Sequence, residues 1–222
     1  DAADNVNTGW DGTAIARKID NEVRQYAQNL TKPNFFTEFG AGPYMPNDLP
    51  DAWRIAVWAA FFYDSGITFW DDNTSLQFGE PWPWGSRNAN AYISDLARDY
   101  FLFRQQFVSR LSQTMTRTTP TTNDTANLRA YGLEDTALGL YAAYIHNYQN
   151  HSVTNSGKTL TIALPAGSYI VDWYDPKSGN PVGTPGTVSG GSQTLPVPDF
   201  VQDIAVAIRP DSPVDIVTFA LP

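Results

Sequence analysis

The run Phe35-Phe36-Thr37-Glu38-Phe39-Gly40 ends an apolar stretch in one carboxylate, followed by an aromatic residue and a glycine. A carboxylate at the mouth of a buried strand is held partly out of bulk water, where it can act as nucleophile or as general acid/base. It can equally be a solvated loop glutamate, or one neutralised by an arginine. A second apolar run, Ile67-Thr68-Phe69-Trp70, ends in Asp71-Asp72-Asn73. Trp70 there is either a flat platform for the C–H face of a sugar ring or a core tryptophan flanked by capping aspartates. Trp82 and Trp84 follow, near Glu80, in a loop rich in glycine and proline. They read as ligand contacts above a site or as the loop's own anchors.

Other candidates carry less. Asn21-Glu22 matches a pairing used for acid/base work, but it lies mid-helix with Val23 on the apolar stripe, so Glu22 is expected to face outward. His146 and His151 are the only histidines and fall in no HExxH-type spacing, which speaks against zinc and histidine catalysis. Asp71, Asp72, Asp172 and Asp175 form no EF-hand pattern, and no metal or other cofactor is expected. Cysteine is absent, which excludes disulfides, thiolate chemistry and sulfur-ligated metals. Sequons begin at Asn29, Asn73, Asn123 and Asn150, and they matter only in a eukaryotic secretory route.

The elements that would position these residues follow from periodicity. Ile15, Ile19, Val23, Tyr26 and Leu30 make one apolar stripe of a helix after Asp11, ended by Lys32-Pro33. A short buried strand over 34–39, an apolar helix over 51–64 closed by Ser65-Gly66, a strand over 67–70 and a helix over 89–112 come next. That alternation is the signature of a parallel α/β structure. The Thr-rich stretch 113–127 has no period and reads as a linker or surface crossing. Beyond it, strands are expected over 128–133, 137–147, 159–164, 168–174, 182–188, 193–197, 204–208 and 216–221. The intervening turns are expected at 165–167, 175–179 and 189–191, and the whole reads as an antiparallel β-sandwich.

Composition bounds the partners. The chain has 222 residues, 42% of them hydrophobic, with 7 Trp, 11 Tyr and 12 Phe. That is enough for a sizeable core and for an aromatic site that stacks on sugar faces. A net charge of -9 argues against nucleic acid and anionic membranes and suits a neutral substrate. No apolar run is long enough to span a bilayer. The polar start, Asp1-Ala2-Ala3-Asp4-Asn5, has neither Met nor a signal-peptide pattern, so the chain reads as processed or as cut from something longer.

The order strand-Thr37-Glu38-Phe39-Gly40, helix, strand-Trp70, helix resembles strands seven and eight of a (β/α)8-barrel retaining glycoside hydrolase, of the clan that includes family 5 cellulases and mannanases. The resemblance implies that Glu38 is the nucleophile and Trp70 the platform of the subsite at the cleavage point. Asp71, Asp72 and Asn73 would bind hydroxyls, and Trp82 and Trp84 would line an outer subsite. Gly167-Ser168-Tyr169-Ile170-Val171-Asp172-Trp173-Tyr174-Asp175-Pro176-Lys177-Ser178-Gly179 resembles a hairpin of the β-sandwich often appended to such barrels, a module to which collagen binding has been ascribed.

A whole barrel needs about 250 residues and eight strands. Here only two strands precede the Thr-rich stretch, and the acid/base that in this clan ends strand four would lie upstream of Asp1. The expectation is therefore a fold that is α/β plus all-β. Residues 1–112 would be the last part of a TIM barrel, 113–127 a linker, and 128–222 a β-sandwich accessory domain. The chain would be the C-terminal part of a secreted or cell-surface retaining glycosidase acting on a neutral β-linked oligo- or polysaccharide. It would be inactive without the N-terminal half of the barrel as its partner. A reading of another class makes it a non-catalytic carbohydrate- or matrix-binding module that works through the Asp- and Trp-rich hairpin.

Overall fold

Two apolar strands separated by an apolar helix are expected to pair in parallel, because the helix returns the chain to the starting edge of the sheet. The computed structural model has this arrangement. It describes residues 20–25, 34–41, 49–71 and 95–212. The chain divides into two units, Asp1–Phe103 and Arg104–Pro222. In the first, β1 (Asn34–Ala41) and β2 (Ser65–Asp71) form a parallel pair joined through α1 (Leu49–Phe62).

Helix α1 starts with Leu49-Pro50-Asp51, which suits a first turn: proline needs no donor there, and a carboxylate faces the positive end of the helix dipole. Residues 53–60 are all buried, as its apolar faces require, and the run includes the charged Arg54. The helix closes through Tyr63 N–H to Ala60 O (3.1 Å) and Asp64 N–H to Phe61 O (3.2 Å), with Asp64 left-handed at φ 53°. Ser65-Gly66, expected as the stop, instead begins β2. Aspartate tolerates the left-handed region well enough to end the helix one residue earlier. Residues 20–25 are helical, with Val23 fully buried and Glu22 half-buried.

The boundary between the units falls inside α2 (Asp95–Val108). The second unit is an antiparallel sheet of seven strands: β3 (Thr116–Thr118), β4 (Thr121–Thr122), β5 (Leu128–Asp135), β6 (Leu140–Asn147), β7 (Thr159–Tyr174), β8 (Gly186–Pro196) and β9 (Asp203–Pro210). The order is β3-β5-β6-β9-β7-β4, with β8 on β7. The Thr-rich stretch is thus no plain linker. Its β-branched residues supply two short edge strands, β3 on β5 and β4 on β7.

The strands expected as two sheets are hydrogen-bonded in one, because β7 is continuous over 16 residues. Pro165-Ala166-Gly167 and Ser189-Gly190-Gly191, expected as turns, face each other inside the β7–β8 hairpin. There the register shifts between Leu164↔Gly191 and Ser168↔Ser189. The irregularity re-phases the strand, so that Leu160, Ile162 and Leu164 before it, and Tyr169, Val171 and Trp173 after it, all enter one core. Leu128, Tyr141, Ala143, Ile145, Leu195, Ile204, Val206 and Ile208 complete most of that core. Strand β6 is buried on both faces. The expected strand 216–221 lies outside the described residues.

Candidate active site

Glu38 belongs to β1 and Trp70 and Asp71 to β2, near the carboxyl-terminal ends of two hydrogen-bonded parallel strands. Phe36 pairs with Ile67 and Phe39 with Phe69, so Thr37 and Glu38 together oppose the single Thr68. Glu38 therefore lies in a β-bulge, a feature that bends the strand, interrupts its alternation and recurs beside active sites. Beyond the bulge, Gly40 pairs with Trp70 and Ala41 with Asp71. A strand spacing of about 4.8 Å and a rise of about 3.3 Å per residue put the Glu38 and Trp70 backbones roughly 8 Å apart. The bulge has no signature in the sequence, since it depends on which residues of β2 sit opposite. Asp72, Asn73, Trp82 and Trp84 lie outside the described residues.

A buried polar cluster in the same unit escaped the sequence reading. Arg54 Nη1 donates to Asp51 Oδ1 at 2.5 Å, the Tyr100 hydroxyl donates to the same oxygen at 3.1 Å, and the guanidinium sits 5.0 Å from the Tyr100 ring centroid. Burial pushes the Tyr100 phenol up to about 12, with Arg54 pulling the other way. The signal was present: Asp51 and Arg54 are three apart on an otherwise apolar helix, where a lone charge has to be paired. Asp20 is fully buried as well.

In the second unit the hairpin proposed as a binding surface has structural duties. Trp173 is 8% exposed and belongs to the core. Asp175 accepts from Lys177 N–H (2.8 Å) and from the Ser178 hydroxyl (2.7 Å), which caps its own turn, and Gly179 closes that turn at φ 72°. Asp172 lies 3.6 Å from Arg209. Arg110 Nη1 donates to the Tyr174 hydroxyl at 2.6 Å while its guanidinium covers the same ring at 4.8 Å.

The two histidines, five residues apart in sequence, meet with Nε2 to Nε2 at 2.9 Å. Among the described residues, no group of three or more His, Asp or Glu side chains could hold a metal ion. No described helix is long and apolar enough to cross a membrane.

No family model matches the chain, and no curated protein matches it. Among solved structures it is distantly similar to glycoside hydrolases. A bifunctional glucanase-xylanase from a metagenome library matches 87% of this chain and 34% of its own, with 13% identity and a TM-score of 0.44. A Paenibacillus polymyxa xyloglucanase of glycoside hydrolase family 44, solved with xyloglucan, matches 90% of this chain and 36% of its own (14% identity, TM-score 0.43). A family 44 endoglucanase produced by Clostridium acetobutylium ATCC 824 matches 88% and 35% (12% identity, TM-score 0.42). The chain spans about a third of the length of these three enzymes.

Proposed function

We propose that the chain is the C-terminal part of a retaining glycoside hydrolase acting on a neutral β-linked glycan, with Glu38 as its nucleophile. The observation that carries this reading is a carboxylate-bearing residue in a bulge of one parallel strand, beside a neighbouring strand that ends in Trp70-Asp71. The pair β1–β2 stands for the last two strands of a (β/α)8 barrel. Two points support that: parallel strands live in sheets covered on both faces, and the two strands paired among the described residues are too few to be stable by themselves. The seven-stranded sheet is the accessory β domain of that enzyme. Localisation outside the cell and a polysaccharide substrate belong to the same proposal.

In the mechanism, a Glu38 carboxylate oxygen attacks the anomeric carbon as the glycosidic C–O bond breaks. A second carboxylic acid, about 5–5.5 Å away, protonates the leaving oxygen. The same group, now a carboxylate, takes a proton from water as the water oxygen displaces Glu38 from the anomeric carbon. Trp70 stacks on the sugar, and Asp71, Asp72 and Asn73 bind its hydroxyls. Trp82 and Trp84 line an outer subsite. The chain has four glutamates, and Glu22, Glu80 and Glu134 are not in Asn-Glu pairs that close a strand, so the acid/base comes from the partner half of the barrel.

The test is trapping in an enzyme completed with that half. A 2-deoxy-2-fluoroglycosyl fluoride should stop turnover and leave its mass on the peptide containing Glu38, and Glu38→Gln should lose at least about a thousandfold in kcat while remaining folded. A label on another residue, or full activity of Glu38→Gln, defeats the assignment.

A further inference from the structure

The loop after β6 is stitched onto the segment before β9. Asn147 N–H donates to Gln202 O at 2.7 Å, and Asn155 N–H to Phe200 O at 2.7 Å. The Asn147 side-chain amide donates to the carbonyls of Asn150, Val153 (3.4 Å) and Val201 (2.8 Å). The Asn155 amide reaches Val153 O (3.3 Å), Phe200 O (3.4 Å) and Val201 O (3.2 Å). This frame holds His151, 9% exposed, against the fully buried His146 of β6, with Nε2 to Nε2 at 2.9 Å and ring centroids 5.1 Å apart.

Charged and titratable groups surround the pair. Arg129 on β5 and Asp203 on β9 are the register neighbours of His146 on its two sides. Asp203 accepts from the Tyr144 hydroxyl at 3.0 Å, and Arg129 lies 3.2 Å from the centroid of the Tyr148 ring, which meets the His146 ring edge-on at 6.2 Å.

A hydrogen bond between two Nε2 atoms requires one N–H and one lone pair. A neutral pair meets this requirement, and so does a pair carrying one extra proton. A pair carrying two does not: both Nε2 atoms then bear hydrogens, and two like charges face each other inside the fold. We propose that His146 and His151 form a proton-operated latch, closed at neutral pH and opened by the second proton, which frees the 148–154 loop.

The sign follows from counting protons. Opening the 148–154 loop separates the two Nε2 atoms, so that His151 and His146 can each carry a proton there, whereas the closed latch holds at most one between them. The closed state therefore binds fewer protons, and the closed-to-open ratio falls as pH drops, by at most about tenfold per pH unit for the one proton of difference.

Hydrogen exchange on the full 222-residue chain, in EDTA, tests this. Protection factors at the amides of Tyr148, Asn150, Ser152 and Val153 should fall several-fold from pH 7.5 to 5.0, while those over 141–145 hold. In His151→Gln, whose amide can still donate to His146 but cannot take up a second proton, loop protection should be flat across that range. Flat loop protection in the wild-type chain overturns the latch whether or not the variant folds. Unchanged pH dependence in His151→Gln overturns it too.

Discussion

Gly190 faces the irregularity in β7, and its lack of a side chain is a steric requirement. A Cβ there would lie far inside van der Waals contact distance of the Pro165 carbonyl oxygen and 2.8 Å from the Ala166 Cα, both backbone atoms that cannot rotate away. Gly190→Ala must push the two strands apart. The adjoining register pairs, Leu164↔Gly191 and Ser168↔Ser189, would then loosen. Two or three backbone hydrogen bonds at about 1 kcal/mol each are at stake. Partial exposure of Leu164 and Tyr169, now 5% and 3% exposed, adds about 1 to 2 kcal/mol. The expected loss is roughly 3 to 5 kcal/mol, well beyond an ordinary substitution, and it lowers Tm by more than about 10 °C. Chemical denaturation and calorimetry of the full chain measure it. Gly186→Ala in the same strand is the control, since a Cβ there meets nothing within 4 Å, and it should stay within about 0.5 kcal/mol of the wild type. If Gly190→Ala unfolds within 1 kcal/mol of the wild type, the close approach of Pro165 to Gly190 is not a feature of the fold.

Two tyrosines on opposite faces of β6 should respond in opposite ways. The buried Tyr141 hydroxyl has no hydrogen-bond partner among the described residues, and burial pushes it up to about 12, so Tyr141→Phe is expected to be neutral or stabilising by up to about 1 kcal/mol. Tyr144→Phe removes a donor from the buried Asp203 and should cost about 1.5 to 3 kcal/mol, as read by urea denaturation. Acid stability has its own signature. The hydrogen bond from Lys158 holds Asp124 below the usual carboxylate range, and the Thr114 hydroxyl does the same for Asp135. Because both are depressed, their contribution is fully present above about pH 4 and is lost as pH falls through the folded values. The stability gap between the wild type and Asp124→Asn should therefore be wider at pH 5 than at pH 2.5, and an equal gap at both refutes the assignment.

Much of the first unit was legible because its signals are local. The apolar runs around 34–39, 51–64 and 67–70 each carry their own periodicity or length, and alternation of strand and helix implies parallel pairing. The Asp51–Arg54 pair was also within reach, as a charge three residues from its partner on an apolar helix. The strands of the second unit were largely legible from alternation. Their sheet was not: the same Pro and Gly residues that close a turn also open a bulge, and only the strand lying opposite decides between the two.

The sequence by itself determined which segments are apolar enough to be buried, the absence of thiol chemistry, and the two apolar runs that carry Glu38 and Trp70. Tertiary structure alone decided the rest. It paired Thr37 and Glu38 against the single Thr68, set Gly190 against Pro165, recruited the Thr-rich stretch as sheet edges, and brought His146 and His151 to hydrogen-bonding distance. The physical reason is common to all four. Each depends on register between segments that are distant along the chain, or on how a loop folds back, and periodicity describes one segment at a time without specifying what lies across from it.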